Sequence, residues 1–250
     1  MPWGAVKFLI ILATLTIILY DGKNRIRPEG FMGDILRMRI GKTGKAKYIS
    51  HLELMATMRR ALLRSGVRLK YSEGFNPHPY ISSALPLSLG TGSLCELLDI
   101  GVLGDQKAEG LPERINAALP EGLEIFEAYA PAGKLSGITW VELQGVLHYD
   151  AKPPPDIEKA LREIYGSESL IITKKTKRGE TEIDLAPHIR DVEIGSNGDV
   201  TITAKVSANN PTINPDNLLS AINGKNSAYF PDFALFTRIE VYDADMNKFR

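Results

Sequence analysis

From residue 37 onwards the chain alternates between segments with strand-like and helix-like spacing of apolar positions. The clearest segment is 51–65, where apolar residues recur with the period of one helical face and so predict a helix. Those residues lie at positions 52, 55, 58, 62 and 63. Ser50 and Glu53 have the S-x-x-E spacing of a capping box, and Gly66 stands where a helix commonly ends. The pattern therefore predicts the helix and both of its ends.

Strand-like segments surround this helix and a second, shorter one. The predicted strands of the first half are 37–49 (with a turn at GKTGK), 68–71, 81–87, 95–102 and 123–130, and the second helix is 111–119. After PAGKLSG at 131–137, a linker by its composition, the same order returns. The second half has predicted strands at 140–149, 170–183, 192–194, 200–206 and 234–242, and helices at 156–165 and 215–222.

This repeated order predicts an α+β fold made of two tandem ferredoxin-like domains. Each domain would be a β-α-β-β-α-β unit with an antiparallel sheet and helices on one face. We expect the first domain over 38–130 and the second over 138–250. No residue-level repeat relates the halves, so the predicted duplication rests on element order alone.

Residues 1–37 form a hydrophobic N-terminal extension that we leave out of the fold prediction. The run 5–20 is apolar except for Lys7 and two threonines, which is short for a membrane-spanning helix, and no cleavage pattern follows it. Three interpretations stay open: a wrong start, with Met32 or Met38 as the true one; an uncleaved signal anchor; or an apolar segment docked on the body. A membrane is a partner only in the second case, where the basic flank would keep the body cytoplasmic. That flank consists of Lys23, Arg25 and Arg27.

Composition excludes several classes of protein. With 44% hydrophobic and 24% charged residues, the chain has the make-up of a folded protein rather than a disordered one. Its single cysteine, Cys95, excludes an internal disulfide, a cysteine-based zinc site and an iron–sulfur cluster held by this chain alone. A reducing compartment fits this best, so we expect a cytoplasmic protein. Thirty basic and thirty acidic residues exclude a globally polycationic nucleic-acid wrapper.

Local charge is nevertheless uneven. Between positions 37 and 70 there are ten basic residues and one acidic residue, whereas 94–131 contain eight acidic and two basic residues. Such asymmetry favours an oriented polyanion partner; the alternative is that Arg59, Arg60 and Arg64 are simply the solvated face of the first helix. The residues that we predict to contact RNA phosphates are Lys42, Lys45, Arg59, Arg60, Arg68 and Lys70. A second basic group, Lys174, Lys175, Lys177 and Arg178, lies in a predicted hairpin and could extend this surface.

The segment YSEGFNPHPYISSALPLSLG, at 71–90, carries the densest chemistry. Its glycine and prolines favour a rigid irregular loop, and its aromatic rings and amide are groups that bind unstacked bases. The predicted nucleobase-binding residues are Phe75, Asn76, His78 and Tyr80. In the alternative interpretation, Phe75 and Tyr80 hold the loop against the core and Asn76 satisfies its own turn.

A second candidate site is a Tyr/His pair at the start of the first helix. Tyr48 and His51 could lie together at the strand-to-helix turn and act as general acid and base in metal-independent RNA cleavage. The alternative is an ordinary surface histidine at a helix start. His148 and His188 show no metal-ligand spacing, and no phosphate-loop, dinucleotide-binding or G-x-S-x-G motif is present, so we predict no metal site.

Two strings in the first half, GKAKYISHLELMATMRRALLRSG and YSEGFNPHPYISSALPLSLGTGSLCELLDI, resemble the radical-SAM-linked protein family, a domain fused to or encoded beside radical SAM enzymes. Its S-H-L-[DE]-L pattern is carried by residues 50–54 and its G-F-N-P-H-P pattern by residues 74–79, and the resemblance covers most of 38–245. It implies a separate radical SAM enzyme as partner. The iron–sulfur cluster and S-adenosylmethionine would be bound by that enzyme, and no cofactor by this chain.

The first half is also similar, more distantly, to CRISPR RNA-processing endonucleases, tandem ferredoxin-like proteins with a helix-borne histidine. The leading hypothesis is therefore a non-catalytic accessory protein that binds RNA, or presents it, for tRNA or rRNA modification by a radical SAM enzyme. One alternative is a metal-independent endoribonuclease using His51 and Tyr48. The other is a protein-docking module without nucleic-acid binding, in which 74–79 contact the partner enzyme.

Overall fold

The computed structural model describes residues 35–104, 106–176 and 179–250, which belong to one compact unit. The apolar run 5–20 lies outside the described residues. No helix within the described ranges has the length and apolar character needed to cross a membrane.

Ten strands and four α-helices make up the described part of the chain. The strands are β1 (Ile35–Lys42), β2 (Ile81–Ser83), β3 (Gly92–Gly101), β4 (Leu123–Tyr129), β5 (Trp140–His148), β6 (Ile171–Thr176), β7 (Gly179–Asp184), β8 (Ile189–Asn197), β9 (Asp199–Ser207) and β10 (Phe233–Tyr242). The helices are α1 (His51–Arg64), α2 (Leu111–Asn116), α3 (Ile157–Tyr165) and α4 (Pro215–Lys225). The element types and their order agree with the predicted α+β class.

The strands form one large mixed sheet and one separate hairpin. Within the described ranges, the large sheet has eight strands in the order β4-β1-β3-β10-β5-β9-β8, with β2 also paired to β3. Strands β6 and β7 form the hairpin. Neighbouring strands are antiparallel except at the centre, where β10 runs parallel to β3.

This central parallel pair differs from the prediction of two antiparallel sheets. The predicted boundary at 131–137 falls between β4 and β5, which are not neighbours in the sheet, and the halves meet instead through β3 and β10. The alternation of apolar residues reveals a strand but not its partner, so the sequence could not predict this pairing.

Local differences from the predicted elements have identifiable causes. The predicted strand 37–49 ends at Lys42, and a 3-10 helix follows from Gly44, whose φ of +51° ends the extended chain. The predicted strand 68–71 makes only isolated bridges, through Leu69 and Tyr71, and β1 extends back to Ile35.

Helix α1 begins and ends as its sequence predicts. The Ser50 hydroxyl accepts a hydrogen bond from the Glu53 amide, and the Glu53 carboxylate accepts one from the Ser50 amide, which completes the capping box. The buried face, however, consists of Leu54, Met58, Ala61 and Leu62, whereas Leu52 is 79% exposed. That face is rotated from the predicted one by part of a turn.

Each half has its own apolar core. One cluster joins α1 and α2 to β1, β3 and β4, and the other joins α3 and α4 to β5, β8, β9 and β10. Cys95 and Leu97 of β3 belong to the second cluster, so β3 contributes to both cores. The central strands β3 and β10 are therefore where the packing of the two halves becomes continuous.

Candidate nucleic-acid interface

Three of the ten basic residues between 37 and 70 are used inside the fold. The guanidinium of Arg37 is fully buried and binds both carboxylate oxygens of Asp99, at 2.7 and 2.9 Å. Arg39 forms an ion pair with Glu240 at 2.8 Å. The exposed basic surface is consequently smaller than the local charge count suggests.

Lys42 is the third, and it does not fit its predicted role as a phosphate ligand. Its side chain is 1% exposed, and its Nζ donates hydrogen bonds to the carbonyls of Ile49 at 2.9 Å and Lys47 at 3.3 Å. Burial lowers the pKa of this ammonium group. Lys42 therefore holds the 3-10 turn against β1 instead of facing a ligand.

The other predicted phosphate-binding residues lie at or near the surface. Lys45, Arg59, Arg60 and Arg68 are exposed, and Lys70 is half-buried. The main chain at Arg68 is fixed by Gln106, whose amide accepts from the Arg68 N–H at 3.2 Å and donates to its carbonyl at 2.8 Å. This anchoring holds the backbone that carries the Arg68 guanidinium.

The predicted site residues fall into two groups at opposite ends of β3. Lys42 lies opposite Ser93 near the start of β3, whereas the Lys70 amide donates to the carbonyl of Gly101 at its end, at 2.8 Å. Eight residues of strand separate these points by about 26 Å. The first group contains Lys42, Lys45, Tyr48 and His51, and the second contains Arg68, Lys70, Phe75, Asn76, His78 and Tyr80.

The loop between Ser72 and His78 is closed by its own hydrogen bonds. The Ser72 amide donates to the His78 carbonyl at 2.8 Å, and the His78 amide donates to the Ser72 hydroxyl at 3.1 Å. The His78 ring nitrogen Nδ1 lies 3.0 Å from that hydroxyl and 3.2 Å from the Asn76 carbonyl. A bridge between Tyr71 and Pro79 continues the pairing below the loop.

Phe75 projects entirely into solvent from the tip of this closed loop. Its relative exposure is 112%, so its ring packs against none of the described residues and does not hold the loop against the described core. Asn76 and His78 are also exposed. Tyr80 differs, because it is half-buried and its Cβ lies within 3.2 Å of where a Cβ on Gly101 would be. Tyr80 thus supports the base of the loop.

Tyr48 and His51 lie close in the chain, but no hydrogen bond between these two described residues is present. Tyr48 is exposed, with the Lys47 ammonium 5.2 Å from its ring centroid, and Gly90 lies beside the ring. His51 is the first residue of α1, and its Nδ1 is buried with no hydrogen-bond partner among the described residues. The acid–base pair stays a prediction.

The second predicted basic group is described only in part. Lys177 and Arg178 lie outside the described residues. Lys174 is half-buried in β6, and its Nζ donates to the Thr212 carbonyl at 2.6 Å. Lys174 therefore binds the loop before α4.

Sequence reasoning missed the charged residues that lie at the junction of the two halves. Arg238 of β10 and Glu96 of β3 are both buried and form an ion pair at 2.7 Å. A signal was present, since each is a charged residue inside a mainly apolar strand segment, FALFTRIEVY and GSLCELLDI. Charges in such positions are rarely buried unless they are paired.

The described residues offer little for metal or thiolate chemistry. Within these ranges, no group of three histidine, cysteine, aspartate or glutamate side chains is placed to hold a metal ion. Cys95 is buried, and burial raises the pKa of its thiol to about 12, so almost none of it is thiolate at neutral pH.

These features define a mixed α+β protein whose first half carries an exposed aromatic loop and several exposed cations. Residues 36–215 match the model of a family described as "Uncharacterized protein conserved in bacteria (DUF2344)". The match covers most of the chain, and the chain belongs to this family. No curated protein matches the chain.

Several solved structures are similar to the chain at low sequence identity. "Crystal Structure of a Cbf5-Nop10-Gar1 Complex" contains a chain that is 13% identical, with a TM-score of 0.44, over 84% of this chain and 49% of that one. "Structure of H/ACA RNP bound to a substrate RNA containing 2'-deoxyuridine" matches with 14% identity and a TM-score of 0.41, over 83% of this chain and 46% of that one. The chain spans about half the length of these solved chains, and at such TM-scores the likeness carries no argument about function.

Proposed function

We propose that this protein binds RNA through the 72–78 loop, on which Phe75 stacks against an unpaired nucleobase, and that it presents this RNA to a separate enzyme. The observation that carries the proposal is the complete exposure of Phe75 at the tip of a loop closed by Ser72 and His78. An aromatic ring held out of the core on a restrained loop binds a base with little loss of conformational freedom.

The exposure of Phe75 has an energetic cost that argues for a binding role. Burying a phenylalanine side chain contributes about 1.5–3 kcal/mol relative to leaving it in water, and this fold forgoes that contribution at Phe75. Single-stranded RNA suits the site because every base has a face that can stack on the ring. An exposed ring could also be covered by a partner protein. The charges near the loop therefore decide between RNA and protein as the ligand.

Those charges favour a polyanion. Arg68 is exposed two residues before Lys70, and the Lys70 backbone pairs with Tyr80 at the base of the loop. Arg59 and Arg60 add two exposed cations on α1, in the element that leads to Arg68. The phosphates on either side of a stacked base could then bind these guanidinium groups. The planar N–H donors of a guanidinium match the oxygens of a phosphate.

The proposal includes the ferredoxin-like character of both halves. The first half has the strand order β4-β1-β3-β2, and the second has β10-β5-β9-β8. We number the four sheet strands of each half from 1 to 4 along the chain and leave out the β6–β7 hairpin, which lies between α3 and β8. In both halves the strand order across the sheet is then 4-1-3-2. This shared order supports two β-α-β-β-α-β units joined through β3 and β10.

A separate radical SAM enzyme acting on tRNA or rRNA is the proposed partner. Support comes from the S-H-L-E-L and G-F-N-P-H-P motifs, which form the start of α1 and the exposed loop respectively. The iron–sulfur cluster and S-adenosylmethionine belong to that enzyme in this proposal, because Cys95 is the one cysteine of the chain and is buried.

The test is binding of the full chain to a fluorescein-labelled 12-nucleotide single-stranded RNA of mixed sequence, followed by anisotropy from 50 to 300 mM salt. We expect Phe75→Ala to weaken binding about 5- to 150-fold, corresponding to about 1–3 kcal/mol for one stacked base, without changing the salt slope. Arg68→Ala should instead reduce the slope of log K against log salt by about 0.7, the value for one phosphate contact on a single strand.

Leu52→Ala is the matched control, because Leu52 is exposed on α1 away from the loop. Equal binding by the wild type and Phe75→Ala would exclude the stacking role. Absence of RNA binding, together with salt-insensitive capture of a radical SAM enzyme that Phe75→Ala abolishes, would identify a protein-docking loop. RNA cleavage in EDTA that disappears in His51→Ala would identify an endoribonuclease.

A further inference from the structure

A cavity of about 150 Å³ lies between the 85–91 loop and the loop that leads into α4. Its walls are mainly aliphatic and include Leu85, Leu87, Val141, Leu143 and Ile213. It is about as large as an engineered cavity that binds benzene, so it suits a ligand of roughly six to nine non-hydrogen atoms.

One buried cation lines this apolar cavity. Arg238 is 7% exposed, its Nη1 binds Glu96 at 2.7 Å, and its Nη2 donates to the Leu85 carbonyl at 2.9 Å. Within the described part of the chain, Arg238 Nε and Glu96 Oε2 are buried without a hydrogen-bond partner. Buried polar atoms in native proteins are nearly always paired, so an unpaired guanidinium N–H here indicates a missing acceptor.

The charges around Arg238 do not balance. Arg238 and Lys42 are both buried cations that interact with Glu96, which leaves two positive groups and one negative group. An uncompensated buried positive charge is costly, and an anion in the cavity would offset it.

The N-terminus of α4 also favours an anion in the cavity. Asn214 and Pro215, the N-cap and first residue of this eleven-residue helix, both line the cavity. The positive end of the helix dipole therefore faces the same space as Arg238, while the acidic residue of the first turn, Asp216, is exposed. The cavity thus combines an apolar body with a positively charged end.

We propose that this cavity binds a small amphiphilic carboxylate, with its aliphatic part against Leu87, Val141 and Leu143 and its carboxylate at Arg238. The carboxylate would supply the acceptor that Arg238 Nε lacks. Thr91, which lines the cavity, lies beside the start of β3, whereas the Phe75 loop lies at the far end of that strand. The carboxylate site is therefore independent of the RNA-binding proposal.

The test compares two ligands of nearly equal shape with the full chain. Isothermal titration and thermal unfolding are measured with hexanoate and with hexanamide, which differ in charge but hardly in size. We expect hexanoate to bind in a saturable manner and to raise the melting temperature, and hexanamide to bind at least tenfold more weakly. Equal affinity for the two ligands, or binding of neither, would overturn the proposal.

Ser88→Trp is the blocking variant, because Ser88 is an exposed residue in the cavity wall and a large ring there fills the entrance. It should abolish hexanoate binding, whereas Ser82→Trp, on an exposed position of β2 outside the cavity wall, should leave it unchanged. Unaltered hexanoate binding by Ser88→Trp would place the ligand elsewhere and refute the assignment.

A double variant tests the charge of Arg238 without leaving its ion-pair partner Glu96 charged. In Arg238→Met/Glu96→Gln both partners of the ion pair are neutral, and such replacements are often tolerated by the fold. We expect this variant to lose its preference for hexanoate over hexanamide. A preference that persists would show that Arg238 does not recognise the carboxylate.

Discussion

Arg37 illustrates how the role of a charged residue depends on its surroundings. It is fully buried, binds Asp99 through two nitrogens and the Gly133 carbonyl through one of them, and lies 5.1 Å from the centroid of the Phe249 ring. From the sequence it is one more cation in a basic segment. In the structure it joins β1, β3, the 131–137 segment and the C-terminal residues.

Asp99→Ala should therefore destabilise the protein by about 3–5 kcal/mol, because it leaves the Arg37 charge buried without its partner. Urea unfolding followed by circular dichroism measures this directly. The matched control is Glu163→Ala, which removes an exposed carboxylate from an ion pair with Lys159 and should cost about 1 kcal/mol or less. Similar losses in the two variants would contradict the structural role of Arg37.

The sequence predicted those residues of the candidate site whose exposure follows from their residue type and local backbone. Phe75, Asn76 and His78 project from the loop as the glycine and proline pattern suggested, because that pattern restricts the backbone locally. Lys42 was mistaken for a surface cation, since nothing in a sequence reveals that two carbonyls surround its ammonium group. The charges of Arg238 and Glu96 within their strands were visible in the sequence, but their pairing with each other was not.

At the scale of elements, helix α1 was predictable because its signals are local. The capping box and the apolar period lie within fifteen residues, so both are visible without knowledge of any long-range contact. The prediction of a strand at 68–71 was wrong, because this segment makes only single bridges, to Val102 and Pro79, and does not pair along its length. Short irregular segments of this kind depend on their neighbours for their structure.

Ser50→Ala should lower the free energy of unfolding by about 1 kcal/mol, because the Glu53 amide loses its acceptor at the start of α1. Chemical unfolding at pH 7 measures this loss. Ser50→Thr, which keeps a hydroxyl that can cap the helix, should retain most of the stability. A full loss in Ser50→Thr would show that the hydrogen bond is not the cause.

The same capping box should make a small contribution that depends on pH. Hydrogen bonds from the Ser50 amide and hydroxyl lower the pKa of Glu53 below its ordinary value of 4.5. A lowered carboxyl pKa stabilises the fold fully above the ordinary value, and that stabilisation is lost as the pH falls through the folded-state value. The stability difference between the wild type and Glu53→Gln should therefore shrink as the pH falls from 6 to 3, and a constant difference would contradict this origin.

At the scale of the whole molecule, the two halves are joined by few but specific contacts. The register pairs Thr237 and Arg238 with Gly92 and Ser93, and the Arg238–Glu96 and Arg39–Glu240 ion pairs lie beside it. Phe249, after β10, packs in the second core and stacks with Arg37 of β1. These contacts connect residues far apart in the chain, which is why element order was predictable and the central pairing was not.

Phe249→Ala should destabilise both halves together, by about 3 kcal/mol, because a buried aromatic ring at the junction is lost. Far-ultraviolet circular dichroism and tryptophan fluorescence should report one coincident urea transition that shifts as a unit. Phe233→Ala, which removes an exposed ring stacked on His148, is the control and should cost about 1 kcal/mol. Two separate transitions would show that the halves unfold independently.

The place of β10 in the sheet also determines when the fold can be completed during synthesis. β2 pairs with β3 only at Leu98–Ile100, and Gly92 and Ser93 of β3 receive their partner when β10 is made, beginning 132 residues after Gly101. At 5–20 residues per second, ribosomes need roughly 7 to 26 s for that stretch. During this interval a nascent first half exposes Cys95 and Leu97 on an incomplete strand edge, so chaperones that hold unpaired strands should associate with it at this stage.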